Sequence, residues 1–245
     1  MSQEMPGSTS PVSVEPTKSP LERIIGVFVS PKATFEDINR KPDWLVPAIL
    51  IVFVALAVTY VFLSHADMLE LIRAQIEKSG RPVPSDEALQ SGLKFSVIIS
   101  YVSVLVVVPL ALVVVSGVLF AVFSFIMGAE TTFKKIFAAN AYASMPSLLK
   151  SIIAIPILFV KQPTEFGNPA DVVQSNLSIL FDPSNKALYA FGKSIDIFTI
   201  WSLVVLAMGV AGVSKNLTFK KSLTTIIILW LIVIACVVGW AAIRK

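Results

Sequence analysis

The sequence predicts an all-α polytopic membrane protein, a five-transmembrane-helix bundle preceded by amphipathic interfacial helices. The mean hydropathy is +0.79 and only 15% of residues are charged, against about 25% in a typical soluble domain. Phe95 to Ala129 contains no charged residue, and roughly 20 apolar residues are enough to cross a bilayer. Ahead of the first apolar run, one set of apolar residues recurs at the spacing of a helix face: Leu21, Ile24, Ile25, Phe28 and Val29.

The N-terminal part divides into a predicted disordered tail, residues 1–18, and two amphipathic interfacial helices within residues 19–43. The tail is rich in Pro, Ser, Thr and Glu and has little to bury. Order is expected to begin at Ser19, which can cap a helix together with Glu22 in a capping box, and again at Ser30-Pro31. Two interpretations stay open and can hold together: the helices pack on the bundle, or they lie in the headgroup plane.

Residues 44–245 are predicted to form the membrane domain. Its spans are expected at about 44–63, 97–127, 137–160, 195–214 and 223–243. A helical hairpin outside the hydrocarbon is expected after the first span, with Ser85 leading without a break into the second. Because that second span exceeds the bilayer thickness, it must tilt, kink at Pro109 or protrude. Residues 161–193 are predicted to be a polar loop.

A short basic motif occurs twice, as Thr132-Phe-Lys-Lys135 and Thr218-Phe-Lys-Lys221, each time directly before an apolar run. Both loops that carry it are short and net basic, which indicates the cytoplasmic side and a cytoplasmic N-terminus. Anionic headgroups attract lysines at this level. The candidate headgroup contacts are therefore Lys134, Lys135, Lys220 and Lys221.

Small residues recur every four positions along the third span: Ala139, Ala143, Ser147 and Ser151. Such a strip lets another helix approach closely, and at about 100° per residue Lys150 lies within it. Asp196 begins the fourth span on the same side of the membrane. We therefore expect an intramembrane Lys150–Asp196 ion pair. The alternative is that Lys150 extends to the interface and Asp196 only caps its helix.

Asn140 and Ser144 flank the small-residue strip and are candidate polar contacts between helices, with solute binding as the alternative. The sequence has one His and one Cys, no glycine-rich phosphate loop and no catalytic triad pattern. It therefore predicts a protein that is not an enzyme, with no catalytic residues, metal site or cofactor.

Several short motifs, taken in order, resemble the YIP domain family, named from proteins that interact with Ypt/Rab GTPases, in its prokaryotic branch. They are the lead-in from Leu21 to Ile38, Gly128 with Thr132-Phe-Lys-Lys135 running into Ala141-Tyr-Ala-Ser-Met-Pro146, Asp196-Ile-Phe-Thr-Ile-Trp201, Gly209, and Phe219-Lys-Lys221. The resemblance implies five transmembrane helices and a cytoplasmic N-terminus. Eukaryotic relatives act in vesicle traffic at the endoplasmic reticulum and Golgi through GTPases and partner membrane proteins.

Two functions follow as hypotheses. The first is a non-catalytic membrane scaffold or adaptor that binds lipid headgroups and other membrane proteins, or further copies of itself, and no nucleic acid. The second is a transporter of a small solute or lipid that uses the intramembrane polar residues. A continuous polar cavity past Lys150 would favour transport, and a closed bundle the scaffold. The expected location is the cytoplasmic membrane of a prokaryote, or the endoplasmic reticulum or Golgi of a eukaryote.

Overall fold

The computed structural model describes residues 17–65, 68–78, 80, 82–160 and 171–243, and most of these are helical. These residues form no β-strand and make only two isolated β-bridges, so the predicted all-α class is confirmed. The α-helices are α1 (Pro20–Val29), α2 (Pro31–Arg40), α3 (Leu45–His65), α4 (Met68–Lys78), α5 (Asp86–Phe120), α6 (Phe133–Ala143), α7 (Met145–Val160), α8 (Lys186–Ser194), α9 (Ile197–Gly212) and α10 (Phe219–Ile243). A π-helix, Ala121–Ile126, continues α5, and a short 3-10 helix covers Leu177–Leu180.

Among the described residues, four helical segments are long and apolar enough to cross a membrane: Leu45–Ser64, Asp86–Ile126, Phe133–Val160 and Phe219–Ile243. The remaining apolar helix, α9, has 16 residues and is therefore about 24 Å long at about 1.5 Å per residue. The hydrocarbon core is about 30 Å thick. The polytopic membrane architecture is thus confirmed, and α9 is shorter than the hydrocarbon core is thick.

The bundle is arranged around α6, in which every residue from Ile136 to Ala143 is buried. By contrast, α5 and α10 leave most of their apolar side chains uncovered. Apolar side chains that face outward over whole helices are expected where lipid is the solvent. The protein therefore has a core built around α6 and an apolar outer surface on α5 and α10.

The second and third spans depart from single straight helices. Ser85 caps α5 through a hydrogen bond from the amide of Ala88, and the helix continues from Asp86 through Pro109, as expected. The Asp86–Ile126 segment has 41 residues, so one end must protrude from the membrane. The third span is divided at Ser144 into α6 and α7.

The two N-terminal helices fold back on each other as an antiparallel hairpin. The expected capping box is present: the Ser19 amide donates to Glu22 (2.7 Å), and the Glu22 amide to the Ser19 hydroxyl (3.3 Å). At the crossing, a Cβ on Gly26 would lie 2.3 Å from the Thr34 hydroxyl oxygen, so only glycine allows this approach.

The hairpin attaches to the bundle by the face opposite to its apolar stripe. On α1 the buried residues are Arg23, Gly26 and Val27, whereas Leu21 and Val29 are 67% and 76% exposed. On α2, Phe35 is fully buried against two glycines of α9, Gly209 and Gly212, at which a Cβ would lie 2.8–2.9 Å from its side chain. The hairpin therefore packs on the bundle and leaves Leu21, Ile25 and Val29 of the apolar stripe uncovered, and its location in the headgroup plane stays a prediction.

The prediction of a polar loop over residues 161–193 is wrong from Lys186 onward, where α8 lies and packs on α10, whereas residues 171–185 are mostly irregular. Asn185 caps α8 by accepting a hydrogen bond from the amide of Leu188 (3.1 Å). Residues 161–170, and the predicted tail up to residue 16, lie outside the described residues.

Candidate functional site

The two Thr-Phe-Lys-Lys turns have the same local geometry. The Thr132 hydroxyl accepts a hydrogen bond from the Lys135 amide (3.4 Å), and the Thr218 hydroxyl accepts one from the Lys221 amide (3.3 Å). A threonine in this position supplies a partner for an amide that the first helical turn leaves unpaired. The repeated motif is thus a helix start, used once for α6 and once for α10.

The two turns lie side by side. The Lys215 amide donates to the Glu130 carbonyl (3.1 Å), and the Thr131 hydroxyl donates to the Val213 carbonyl (3.0 Å). This contact gathers the basic side chains of both turns at one end of the bundle. We call this end the lysine face, defined by Lys134, Lys135, Lys215, Lys220 and Lys221.

The candidate headgroup contacts on the lysine face differ in exposure. Lys134, Lys220 and Lys221 are exposed, whereas Lys135 is half-buried. Lys215 lies 3.4 Å from the carboxylate of Glu130, and both side chains are largely in solvent. A pair in that setting contributes little to stability, at most about 1 kcal/mol.

A buried charged cluster, which the sequence did not reveal, fixes the N-terminal hairpin to the bundle. Arg23 is only 1% exposed. Its guanidinium donates from Nε to Asp37 (2.7 Å) and from Nη1 to the Lys41 carbonyl (2.9 Å) and to Asp43. The Tyr142 hydroxyl donates to the same oxygen of Asp43 (3.1 Å). The cluster therefore joins α1, α2, the start of α3 and the central helix α6.

The charges in this cluster compensate one another. Burial alone would lower the pKa of Arg23, but the hydrogen bond to Asp37 and the negative charge of Asp43 outweigh it and raise the pKa above its usual value. The guanidinium is therefore charged at every physiological pH, and it is held between a buried carboxylate, that of Asp37, and a partly exposed one, that of Asp43. Its fixed fork of donors suits contact with several acceptors at once.

Lys150 and Asp196 are brought together. The Lys150 ammonium lies 2.7 Å from Oδ2 of Asp196, and the two side chains are 20% and 4% exposed. Oδ1 of Asp196 accepts hydrogen bonds from the amides of Phe198 (3.0 Å) and Thr199 (3.1 Å). Asp196 thus combines the two roles that the sequence left as alternatives, since it caps α9 and contacts the lysine.

The small-residue strip explains this proximity. Ala139 faces Gly209 of α9, and the hydroxyl of Ser147 lies 2.8 Å from that of Ser202 on the same helix. Because α6 and α7 approach α9 along the strip, Lys150 points toward the start of α9.

A cavity of about 400 Å³ lies beside the pair, between α3, α7 and the start of α9. We call it the Lys150 pocket. It is lined by Lys150 and Asp196, by apolar side chains, and by the hydroxyl-bearing residues Thr59, Ser147, Ser151 and Thr199. Toward the lysine face the helices close, with Phe35, Ala139, Tyr142 and Val210 all without solvent exposure. The pocket is confined to the half of the bundle away from the lysine face.

Asn140 and Ser144 have different roles, and neither lines the Lys150 pocket. The Asn140 amide donates to the Ser116 hydroxyl (3.0 Å) and to the Leu112 carbonyl (3.4 Å) of α5, which is the expected contact between helices. The Ser144 hydroxyl donates instead to the Asn140 carbonyl (2.9 Å) of its own helix. The prediction of a contact to another helix is therefore wrong for Ser144: α6 ends there, and the hydroxyl bonds a carbonyl of the last turn.

In the residues that the structure describes, no group of three or more His, Cys, Asp or Glu side chains has a geometry that could hold a metal ion.

Comparison with known proteins identifies the family to which this chain belongs. The family model described as the Yip1 domain matches residues 25–241. The chain is similar to the membrane protein YknW of Bacillus subtilis (strain 168), with 26% identity over 200 residues that cover 79% of this chain and 80% of that protein. No solved structure gives a significant match. Its motifs, its helices and this match together establish that the chain is an integral membrane protein belonging to the Yip1 domain family.

Proposed function

We propose that the protein is a non-catalytic membrane scaffold whose lysine face binds anionic lipid headgroups and whose lipid-facing helices hold partner membrane proteins. The observation that carries this proposal is the combination of exposed lysines and an uncovered apolar stripe at one end of the bundle. The stripe includes Leu21, Ile25 and Val29, which are 56–76% exposed. Its helix hairpin is attached near Gly212, where α9 ends and the second lysine turn begins. Apolar side chains that enter the acyl boundary, with lysines above them, suit one leaflet of a bilayer.

A cavity at this end of the bundle supports lipid binding. It has a volume of about 450 Å³ and lies between α2 and the turn that joins α9 to α10. Lys32 and Glu36 contribute opposite charges, and Met208, Leu217 and Phe219 contribute an apolar wall. Such a lining suits a headgroup with its first acyl carbons rather than a free ion.

Transport of a small solute or lipid is the second candidate, and the Lys150 pocket is the observation that favours it. Alternating access needs a site that can open to either side of the membrane. The path from this pocket to the lysine face is filled by fully buried side chains, including Phe35 and Tyr142. The scaffold is therefore the better supported function.

The lipid half of the proposal is tested with the full chain reconstituted in vesicles that contain brominated phosphatidylglycerol or brominated phosphatidylcholine. Quenching of tryptophan fluorescence measures which lipid surrounds the protein. We expect enrichment of the anionic lipid, and loss of that enrichment when Lys134, Lys220 and Lys221 are replaced by Gln, because each lysine contributes up to about 1 kcal/mol. The matched control replaces three lysines away from the lysine face, Lys94, Lys186 and Lys193. Equal effects of the two triple variants would overturn headgroup binding by the lysine face.

The partner half is tested by cross-linking in native membranes before affinity purification. Recovery of this chain with bulk lipid alone would count against a scaffold. A partner cross-linked through the uncovered faces of α5 or α10 would support it.

A further inference from the structure

We propose that the Lys150 pocket is a binding site for a phosphate group carried by an amphiphilic or small organic molecule. The proposal concerns the end of the bundle away from the lysine face and does not depend on the proposed function. It rests on an imbalance between hydrogen-bond donors and acceptors in the pocket.

The acceptor side of the pair is saturated by the protein. Oδ1 of Asp196 accepts from two backbone amides at the start of α9. Oδ2 accepts from the Lys150 ammonium (2.7 Å) and from the Ser175 hydroxyl. A carboxylate offers about four lone-pair positions, so Asp196 has none left for a ligand.

The donor side is not saturated. An ammonium group has three N–H donors, and the bond that Lys150 makes to the described residues uses one of them, to Asp196. The neighbouring hydroxyls donate elsewhere: Thr59 to the Ala55 carbonyl (2.8 Å) and Ser151 to the Ser147 carbonyl (3.3 Å). Lys150 is therefore the charged donor that the pocket presents, and the matching ligand is an acceptor with negative charge.

The size and walls of the pocket indicate a ligand larger than a bare ion. Its volume of about 400 Å³ lies within the range of about 300–1,000 Å³ typical of small-molecule sites. Ala55, Val58 and Ala154 form an apolar wall beside the lysine. An anionic group held by Lys150, with a carbon skeleton against this wall, would use both surfaces.

The site is tested by isothermal titration calorimetry on the detergent-purified full chain. The probes are dihexanoylphosphatidylglycerol, which represents a lipid source of the anion, and glycerol 3-phosphate, which represents a soluble one. We expect at least one probe to bind saturably at one site per chain, and Lys150→Met to weaken that binding at least tenfold. Binding of the lipid alone assigns the site to a phospholipid, and binding of both assigns it to the phosphate group. Saturable binding of neither probe would overturn the proposal.

The matched control is Lys193→Met, which removes another lysine from the same half of the bundle. Lys193 also lies 2.7 Å from an aspartate, Asp171, but outside the pocket. It should leave binding unchanged, and an equal loss in both variants would show that the effect is general. Because Lys150→Met could disturb folding, Ala55→Phe provides an independent test: it fills the cavity and keeps the ion pair. Wild-type affinity in a folded Ala55→Phe protein would also reject the site.

Discussion

Replacing Arg23 by Met should destabilise the protein far more than its position on a short N-terminal helix suggests. The side chain of Arg23 is 1% exposed and that of its partner Asp37 is 7% exposed, so the substitution leaves a carboxylate buried without its counter-ion. Asp43, which is 31% exposed, can recover part of its hydration. Removing one member of a buried ion pair costs about 3–5 kcal/mol. Since only one of the two carboxylates is fully buried, we expect the lower part of that range.

The chain contains a matched control for this substitution. Arg73 pairs with Asp86 at the surface, and their side chains are 44% and 77% exposed. Arg73→Met therefore removes the same charge and leaves a carboxylate in water, and it should cost at most about 1 kcal/mol. In the double variant Arg23→Met/Asp37→Asn no buried charge is left unpaired, so it should be more stable than Arg23→Met alone.

The free energy of unfolding is measured by titration with sodium dodecyl sulfate in mixed micelles, followed by far-ultraviolet circular dichroism. Hydrogen exchange of the α1 amides then reports whether the hairpin detaches before the bundle unfolds. Equal losses for Arg23→Met and Arg73→Met would refute the reasoning, because they would show that burial of the cluster contributes nothing.

Three further predictions can be checked in the same titration. Lys150→Met and Asp196→Asn, singly and together, should give losses that differ from additivity by about 1–3 kcal/mol, whereas additive losses would rule out direct coupling. Gly209→Val should lower the free energy of unfolding by about 1–3 kcal/mol through overpacking, because a Cβ there would lie 2.9 Å from the buried phenyl ring of α2. The control Gly117→Ala has open space around it and should not destabilise the protein. Asn140→Leu should lower the free energy of unfolding by about 1–3 kcal/mol, because it leaves the fully buried hydroxyl of Ser116 on α5 without its amide partner. Unchanged stability would contradict that contact.

The features that could be predicted from the sequence are those that depend on local spacing. The helix starts at Ser19 and Ser85 are predicted from hydroxyls that can cap a helix. Thr132 and Thr218 cap helices in the same way, but α6 and α10 begin at Phe133 and Phe219, ahead of the spans predicted from 137 and 223. The proximity of Lys150 to the fourth span also follows from spacing, since small residues every four positions mark which face of the third span another helix can approach.

The Arg23 cluster could not be predicted in the same way. Its acidic partners lie 14 and 20 residues further along the chain, and the helix is interrupted at Ser30, so no continuous helix relates these positions to Arg23. An arginine on an amphipathic helix is ordinarily expected to contact lipid headgroups. The available signal was the face that Arg23 shares with Gly26 and Val27, opposite to the apolar stripe. A glycine on that face marks a close approach, here to Thr34.

The same limitation explains the missed helix α8 and the role of Ser144. The segment before α8 contains Pro183 and several polar residues, so composition indicated a loop, although Asn185 was available as a cap. Ser144 carries a hydroxyl at the right spacing for a contact between helices. The point at which α6 ends depends on tertiary packing. At that point the Ser144 hydroxyl donates a hydrogen bond to the Asn140 carbonyl of its own helix.

The contact between the two lysine turns has a mechanical consequence. Each turn joins two helices, α5 to α6 and α9 to α10, so the bonds from Lys215 to Glu130 and from Thr131 to Val213 clamp four helices together at one end. The opposite end of the bundle holds the Lys150–Asp196 pair and its pocket. It is tied by a backbone bridge between Asn176 and Asp196, so the segment before α8 is fixed to the start of α9 beside Lys150.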